Sequence, residues 1–361
     1  MHFFDFLNIA SKYPFIGTMV TFSFGLLIMP LVLKFAKKRN LVVRPNKRTV
    51  HNGAVPNIGG LDIFCSLLTM FILLMFFNRL PIPFLVGFCL MFVIGFIDDK
   101  LVLSAYWKLA GETLCAFFLI YNYRITSLYG IFGVTELPLF WSCAISYFVF
   151  ILIVNALNLI DGIDGLASGL GIVYCLFFGF WFYLVEWDYY ALFCFSCFGS
   201  LLVFFIYNVF GSGNRKIFMG DSGSLVLGYL ITFFIFQFLE INAKMPINNE
   251  IYRFPYAFAT VISVLFIPLF DIFRVAFTRI KHHVSPFSPD RNHIHHLLLR
   301  LGLKHKQVTL ILLLVSLFFV ALAILCKNVN FWVQITISLL SGILLIFLLW
   351  RIVDKKEIIL K

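Results

Sequence analysis

Charged residues are scarce in this sequence. Asp, Glu, Lys and Arg make up 12% of its 361 residues and hydrophobic residues 61%. A soluble domain contains about 25% charged and roughly 45–50% apolar residues. Repeats, linkers and low-complexity segments that would mark a second domain are also absent. The composition therefore excludes a water-soluble fold and predicts one membrane-embedded domain over residues 1–361.

Apolar stretches of membrane-spanning length recur along the whole chain. A helix crosses the hydrocarbon core with about 20 apolar residues and satisfies its own backbone hydrogen bonds. We therefore predict an all-α fold, a polytopic integral membrane helical bundle of about eleven transmembrane helices. The predicted spans are 14–34, 58–77, 82–97, 106–121, 141–156, 166–185, 189–209, 223–240, 257–274, 307–326 and 331–350.

Basic residues are distributed unevenly between the two sides of this bundle. With the N-terminus outside and the C-terminus inside, most of the 28 Lys and Arg residues fall in inner loops and the C-terminal tail. An excess of Lys and Arg is typical of cytoplasmic loops. The net charge of +11 is therefore interpreted as a topology signal, and no nucleic-acid partner is predicted.

The sequence also lacks the pattern of a cleaved signal peptide and a loop cluster of cysteines. The first fifteen residues contain neither a charged n-region nor a small-residue cleavage site, so we expect the first span to be retained. The eight Cys lie in or at the ends of predicted spans without clustering in loops, which favours small buried residues over metal or redox chemistry.

Polar clusters converge on the predicted inner side, whereas the outer connections carry no dense group of carboxylates or His. A charged carboxylate at membrane depth costs about 2.5–3.5 kcal/mol on insertion scales, so it needs a partner. Five carboxylates lie at the inner ends of spans: Asp98, Asp99, Asp161, Asp164 and Asp221. We expect the chemistry of the protein to lie among them.

Asp98 and Asp99 are adjacent in "GFIDDK". Neighbouring side chains on a helix diverge by about 100°, so the two carboxylates cannot grip one ion from the same face. One is expected to face the reacting centre and the other a Lys, an Arg or a backbone partner.

The segment "DGIDG" places Asp161 and Asp164 three residues apart, on one side of a helical turn. Its glycines, Gly162 and Gly165, allow the backbone to approach a ligand closely. The pattern suits metal or phosphate binding, and a Gly-rich span boundary with two solvated acids is the alternative.

The segment "GDSGS" directly precedes a predicted span, so Asp221 lies at a helix N-terminus. Free backbone amides near Gly220 can hold a phosphate there, while the carboxylate offers a hard oxygen ligand. The alternative is a simple helix N-cap.

A His-rich segment lies in the last long inner loop and contains Arg291, His293, His295 and His296. His and Arg donors suit a phosphorylated or sugar ligand. A zinc site and a solvated loop are the alternatives, although this loop offers no thiolate and the carboxylates elsewhere favour Mg²⁺ or Mn²⁺. In the first inner loop, Lys47, Arg48 and His51 form either a second anion site or a topology determinant.

Carboxylates for a hard metal, glycine turns and cationic donors together predict a phosphoryl-transfer site. In these motifs the chain resembles the polyprenyl-phosphate N-acetylhexosamine-1-phosphate transferases, and most of all their WecA-type branch. The matching stretches are "RTVHNGAVPNIGGLDI", "GFIDDK", "VNALNLIDGIDGLASG", "FMGDSGS" and "DRNHIHH".

The resemblance implies a bacterial inner-membrane enzyme with its active site on the cytoplasmic face. It implies transfer of N-acetylhexosamine 1-phosphate, most of all GlcNAc 1-phosphate, from a UDP-sugar to undecaprenyl phosphate with release of UMP. By the same resemblance Asp164 and Asp221 match the metal-ligand positions for Mg²⁺, and Asp98 and Asp99 match the catalytic acidic pair. Together with the residues discussed above, this predicts substrate-binding roles for Lys47, Arg48, His51, Asn158, Asp161, Gly220, Arg291, His293, His295 and His296, of which the resemblance itself covers Asn158, Asp161, Arg291 and the three His residues.

The chain departs from the family pattern at a few positions. Val102 stands where a third carboxylate often follows the acidic pair, and Val43 and Thr49 replace an Asp and a Lys in the first inner loop. The alternative functions are a phospho-MurNAc-pentapeptide transferase, although "HIHH" replaces the "HHHFE" of that enzyme, and, in other classes, a secondary transporter or a lipid-binding scaffold. A homodimer is compatible with the sequence.

Overall fold

The computed structural model describes residues 13–43, 55–75, 81–246, 251–283 and 293–359. Thirteen α-helices lie within these ranges, which confirms the predicted all-α membrane bundle. The helices are α1 Phe15–Lys38, α2 Gly59–Met75, α3 Ile82–Leu101, α4 Ala105–Asn122, α5 Leu139–Ile160, α6 Leu166–Leu184, α7 Asp188–Phe205, α8 Gly220–Lys244, α9 Ala257–Val264, α10 Phe266–Lys281, α11 Ile294–Arg300, α12 His305–Leu325 and α13 Phe331–Ile359.

Shorter elements connect the helices at both ends. Two antiparallel strand pairs occur in the described chain: β1 Val42–Val43 with β2 Val55–Pro56, and β3 Ser127–Ile131 with β4 Val134–Glu136. A π-helical turn over Ile206–Phe210, named the π-turn here, extends α7, and a 3₁₀ turn follows at Gly213–Arg215.

Within the described residues each predicted span overlaps a helix, or α9 and α10 together for 257–274, but fewer helices meet the length and hydropathy expected of a span. In the described chain eight helices do so, or nine if α9 and α10 form one bent span. The helix α2 is short, and α4 carries Lys108 and Glu112, which lower its mean hydropathy. The number eleven and the orientation therefore remain predictions.

The bend of 78° between α9 and α10 has a local cause in the sequence. Pro268 lies in the first turn of α10, where it lacks an amide proton and its ring would clash with the carbonyl of Val264. The helix consequently breaks at Leu265, and the axis of α10 points in a different direction from that of α9.

The helix α8 forms the centre of the bundle and is buried along almost its whole length. A helix that is apolar on all sides fits only where neighbours surround it. Aromatic rings fill the space around it, and Phe233 lies 4.6 Å from Phe84 and 5.4 Å from Phe193 between ring centroids. The core fixes the start of α8 relative to its neighbours.

Glycines allow α2 and α3 to approach the start of α8 closely. A Cβ on Gly60 would lie 2.2 Å from the amide nitrogen of Gly223, and one on Gly95 would lie 2.5 Å from Cα of Ser222. The first turn of α8, which carries Asp221, is thus held between two helices.

Candidate active site

The structure brings the five predicted carboxylates to one end of the bundle. Asp98 and Asp99 end α3, Asp161 and Asp164 lie in the turn between α5 and α6, and Asp221 lies in the first turn of α8. Burial raises the pKa of Asp161 well above its ordinary value, and the charges of Asp221, Asp99 and Asp164 raise it further. The two motifs "DGIDG" and "GDSGS" therefore form one acidic cluster.

Lys108 lies at the centre of this cluster. Its Nζ atom lies 2.9 Å from Oδ2 of Asp98, 2.6 Å from Oδ1 of Asp221 and 3.2 Å from Oδ1 of Asn158. The three acceptors use all three ammonium hydrogens. Sequence reasoning counted Lys108 only as a topology charge; its place in the apolar helix α4 was the available signal.

Asp98 and Asp99 face different partners, in the arrangement expected for adjacent residues. Asp98 pairs with Lys108 and accepts a hydrogen bond from the backbone amide of Leu103 at 2.7 Å. Asp99 accepts hydrogen bonds from the backbone amides of Asp221 at 2.7 Å and Ser222 at 3.0 Å. It therefore caps α8, where a negative charge is favoured.

Gly220 and Asn57 complete the cap. Gly220 has φ +74°, and a Cβ there would lie 2.6 Å from Oδ2 of Asp99. Asn57 donates from Nδ2 to Oδ1 of Asp99 at 3.0 Å. A glycine is required at position 220 both by its backbone conformation and by the closeness of the Asp99 carboxylate.

Asn158 links α5 to the start of α8. Its Nδ2 atom lies 2.5 Å from Oδ1 of Asp221 and 2.8 Å from Oγ of Ser224. Together with the contact to Lys108, these bonds fix the orientation of the Asp221 carboxylate, which stays partly accessible.

Asp164 has basic partners of its own. Its Oδ2 atom lies 2.7 Å from Nζ of Lys216 and 3.6 Å from Nδ1 of His305. Burial pushes the pKa of Asp164 upward, but the hydrogen bonds and charges of His305 and Lys216 outweigh it, so the pKa lies below its ordinary value. Asp164 is therefore a stable carboxylate in the folded chain.

His293 is held by a buried acid that sequence reasoning missed. Asp271 of α10 lies 2.8 Å from Nδ1 of His293, accepts from the amide of Ile294 at 2.9 Å and pairs with Arg274 at 2.8 Å. An acid in the apolar stretch "FIPLFDIF" was the available signal. Asp271 fixes the position of the His segment relative to α10.

His295 reaches from that segment to the "DGIDG" turn. A Cβ on Gly162 would lie 2.4 Å from its Nε2 atom, and within the described residues neither ring nitrogen has a hydrogen-bond partner. Burial lowers its pKa to about 3, with a further contribution from the nearby His296. The ring centroids of His293 and His296 lie 5.8 Å and 4.3 Å from that of His295.

Some predicted residues cannot be placed. Lys47, Arg48, His51 and Arg291 lie outside the described residues, as does Thr49. Val102 has φ +51° and ends α3 as an exposed residue, and Val43 is an exposed residue of β1.

The donor set of the cluster fits a hard divalent cation. Asp161, Asp164 and Asp221 offer only oxygen atoms, which Mg²⁺ and Mn²⁺ prefer. Burial is the main cause of the raised pKa of Asp161, and the charges of Asp221, Asp99 and Asp164 add to it; a cation would offset these charges. Within the described residues no three His, Cys, Asp or Glu side chains form a ready-made metal site, and Lys108 and Lys216 pair with Asp221 and Asp164 instead.

Comparisons with known proteins identify a matching family model and several relatives. The model of glycosyl transferase family 4 matches residues 81–238. An undecaprenyl-phosphate α-N-acetylglucosaminyl 1-phosphate transferase of Yersinia pestis is 29% identical over 90% of this chain and 88% of its own. The Escherichia coli K12 protein of that name is 28% identical over 89% of this chain and 86% of its own. A probable undecaprenyl-phosphate N-acetylglucosaminyl 1-phosphate transferase of Bacillus subtilis is 30% identical over 90% of this chain and 87% of its own.

Proposed function

The chain belongs to glycosyl transferase family 4, and we propose that it transfers N-acetylglucosamine 1-phosphate from UDP-N-acetylglucosamine to undecaprenyl phosphate. The observation that carries this proposal is the 28–30% identity to relatives named for that transfer, over about nine-tenths of the chain. The product would be a lipid-linked sugar that initiates the synthesis of a cell-surface polysaccharide.

In the proposed reaction an oxygen of the lipid phosphate attacks the β-phosphorus of the nucleotide sugar. One P–O bond forms, the pyrophosphate P–O bond breaks, and UMP leaves with the bonding electrons. A phosphate with a second pKa of about 6 is largely dianionic at pH 7, so the attacking oxygen needs little help from a base. Within this proposal Asp98 holds Lys108 and Asp99 positions the start of α8, and a direct catalytic role of either carboxylate stays a prediction.

Asp164 and Asp221 are the proposed ligands of Mg²⁺, for which Mn²⁺ would substitute, with Asp161 beside them. When bound, the ion would neutralise charge on the pyrophosphate oxygens. Asn158 and Lys108 orient the Asp221 carboxylate through contacts with its Oδ1 atom. The chain thus supplies positioning and electrostatic stabilisation, which dominate phosphoryl transfer.

The His segment is proposed to orient the nucleotide sugar. His295 is neutral, packs against Gly162, and has no hydrogen-bond partner for either of its buried ring nitrogens among the described residues. Asp271 keeps His293 in place beside it. Arg291, Lys47, Arg48 and His51 stay predictions for anion binding.

The acceptor is proposed to enter from the bilayer with its phosphate at the inner surface. The bundle supplies apolar helices for the isoprenoid chain, and Lys108 places a positive charge at the carboxylate end. We assign this end to the cytoplasmic face of the bacterial inner membrane from the distribution of Lys and Arg. A homodimer stays a prediction.

The names of the relatives favour this function over its alternatives. They specify N-acetylglucosamine rather than a muramoyl pentapeptide, and a transferase rather than a transporter. The same names describe an enzyme rather than a lipid-binding scaffold.

A donor panel tests the proposal. Purified protein in detergent is incubated with undecaprenyl phosphate, Mg²⁺ and one UDP-N-acetylhexosamine at a time, and UMP is measured. We expect release with UDP-N-acetylglucosamine and at least tenfold less with its C4 epimer, as expected for a site that reads hydroxyls through hydrogen bonds. Release with only UDP-MurNAc-pentapeptide would favour the alternative enzyme, and no release with any donor would contradict the proposal.

A further inference from the structure

The helices α4 and α5 face each other through two polar pairs. Lys108 donates from Nζ to Oδ1 of Asn158 at 3.2 Å. Asn155 donates from Nδ2 to Oε2 of Glu112 at 2.7 Å. Lys108 and Glu112 are four residues apart on α4 and the two Asn are three apart on α5, so the two pairs lie one helical turn from each other. Glu112 therefore lies next to Lys108 on the same face of α4, one turn further from its start.

Only one oxygen of the Glu112 carboxylate is used. Glu112 is 1% exposed, and among the described residues its Oε1 atom has no hydrogen-bond partner. A buried carboxylate oxygen without a donor is costly in free energy, because nothing replaces the water that it has lost. This oxygen is therefore an unused acceptor beside the acidic cluster.

All three hydrogens of the Lys108 ammonium group are in use. Their acceptors are Asp98, Asp221 and Asn158. The contact with Oδ1 of Asp221, at 2.6 Å, is the shortest of the three. A cation held by the Asp221 carboxylate would repel an ammonium group at that distance. Lys108 consequently has to give up Asp221 when this carboxylate binds a metal ion, and one of its hydrogens then needs another acceptor.

We propose that Glu112 is a positioning residue that accepts the ammonium group of Lys108 when a divalent cation binds Asp221. A Lys and a Glu four residues apart on a helix can pair, because their side chains are neighbours on one face. Asp98 stays bonded to Lys108, so the ammonium group turns from Asp221 to Oε1 of Glu112 without leaving the cluster. Glu112 itself touches neither substrate nor metal. The inference rests on the proposed function, in which Asp221 is a ligand of Mg²⁺.

A purely structural role, in which Glu112 only holds Asn155, is the competing explanation. Glu112→Gln separates the two roles, because its amide oxygen still accepts from Asn155 while an amide nitrogen, which accepts nothing, replaces the free oxygen. The matched control is Asp62→Asn in α2. Asp62 is also fully buried, and among the described side chains neither of its oxygens has a hydrogen-bond partner. It faces α1, where a Cβ on Gly25 would lie 3.4 Å from its Oδ2 atom.

A double-mutant cycle tests the inference through UMP release by the purified full chain, with Glu112→Gln and Lys108→Met alone and together. We expect Glu112→Gln to lower release about tenfold, which is the middle of the range for coupled residues in one ion-pair network. In the Lys108→Met background no ammonium group needs an acceptor, so Glu112→Gln should lower release less than about twofold. Asp62→Asn should change release by the same factor with Lys108 present and without it.

The thermal unfolding midpoint, measured with and without Mg²⁺ and UMP, follows the same change without turnover. A ligand that binds the folded chain raises this midpoint. The rise should be smaller in Glu112→Gln than in wild type, because the displaced ammonium group then has no acceptor and opposes the cation. In the Lys108→Met background the rise should be the same with and without Glu112→Gln.

The outcomes separate the inference from the proposed function. The inference is overturned, and the transferase function left standing, if Glu112→Gln lowers release equally in both backgrounds, if it leaves release within about twofold of wild type, or if it leaves the midpoint rise unchanged. Should either variant fail to fold, Lys108→Gln or Glu112→Met takes its place in both measurements. Wild-type protein that releases no UMP contradicts the proposed function, and the midpoints still test the inference. A wild-type midpoint that does not rise contradicts both the metal site and the inference.

Discussion

At the scale of single residues, hydrogen bonds and ion pairs distinguish the carboxylates that position other groups from those proposed to bind a metal ion. The sequence predicted that Asp98 and Asp99 would diverge, and the structure gives Asp98 to Lys108 and Asp99 to the amides of α8. The sequence could not predict that the Lys108 ammonium group lies between the carboxylates of Asp98 and Asp221. Lys108 is 113 residues away from Asp221 and 50 from Asn158 in sequence, so only the packing of α4, α5 and α8 brings them together.

Removing the positive charge of Lys108 should abolish most of the activity. In Lys108→Met the carboxylates of Asp98 and Asp221 lose their shared partner and repel each other. We expect UMP release to fall by about 10²–10³-fold, as when a preorganised donor is removed from a catalytic site. Lys37→Met is the control, because Lys37 is an exposed residue that contacts only the carbonyl of Asn214 among the contacts described; equal activity of the two variants would contradict the role of Lys108.

His295 should make the folded protein less stable in acid. Its pKa is about 3 in the folded chain and about 6.5 in an unfolded one. Between these values the unfolded chain binds a proton that the folded chain does not, so stability falls as the pH drops below about 6.5. In His295→Gln the unfolding midpoint should fall less between pH 7 and pH 5 than in wild type; parallel decreases would show that His295 is not the group responsible.

At the scale of helices, hydropathy located the elements but not their packing. Within the described residues each predicted span overlaps one or two helices, because long apolar stretches leave the backbone no alternative in a membrane. The bend at Leu265 was readable from Pro268, but its angle depends on contacts with neighbouring helices. Close approaches such as Gly60 on Gly223 were not readable, because the sequence shows glycines without showing what faces them.

The Gly60 contact predicts a sensitive position. In Gly60→Ala the new methyl group would overlap the backbone of Gly223, so α8 must shift and carry Asp221 with it. We expect loss of UMP release and a lower unfolding midpoint, since overpacking against backbone cannot be relieved by a rotamer change. Gly25→Ala is the milder comparison: its Cβ would meet the side chains of Ser66 and Val203 at 3.2 Å, and it should retain most activity.

At the scale of the whole molecule, the distribution of charge gives an orientation that labelling can test. In a cysteine-free background, Tyr106→Cys beside Lys108 and Phe132→Cys in the β3–β4 turn place thiols at positions that are 87% and 80% exposed. A membrane-impermeant maleimide added to spheroplasts should label only position 132, and position 106 should react after permeabilisation. The reverse pattern would invert the topology and move the acidic cluster to the outer face.

The central claim is that a sugar phosphate, rather than a bare sugar, moves to the lipid. Incubation with UDP-N-acetylglucosamine carrying ³²P in its β-phosphate, undecaprenyl phosphate and Mg²⁺ tests this most directly, because the label follows the bond that breaks. We predict that the label enters the lipid product in a one-to-one ratio with the sugar and that UMP is the nucleotide released. Lipid that carries the sugar without label, with UDP as the released nucleotide, would contradict the account.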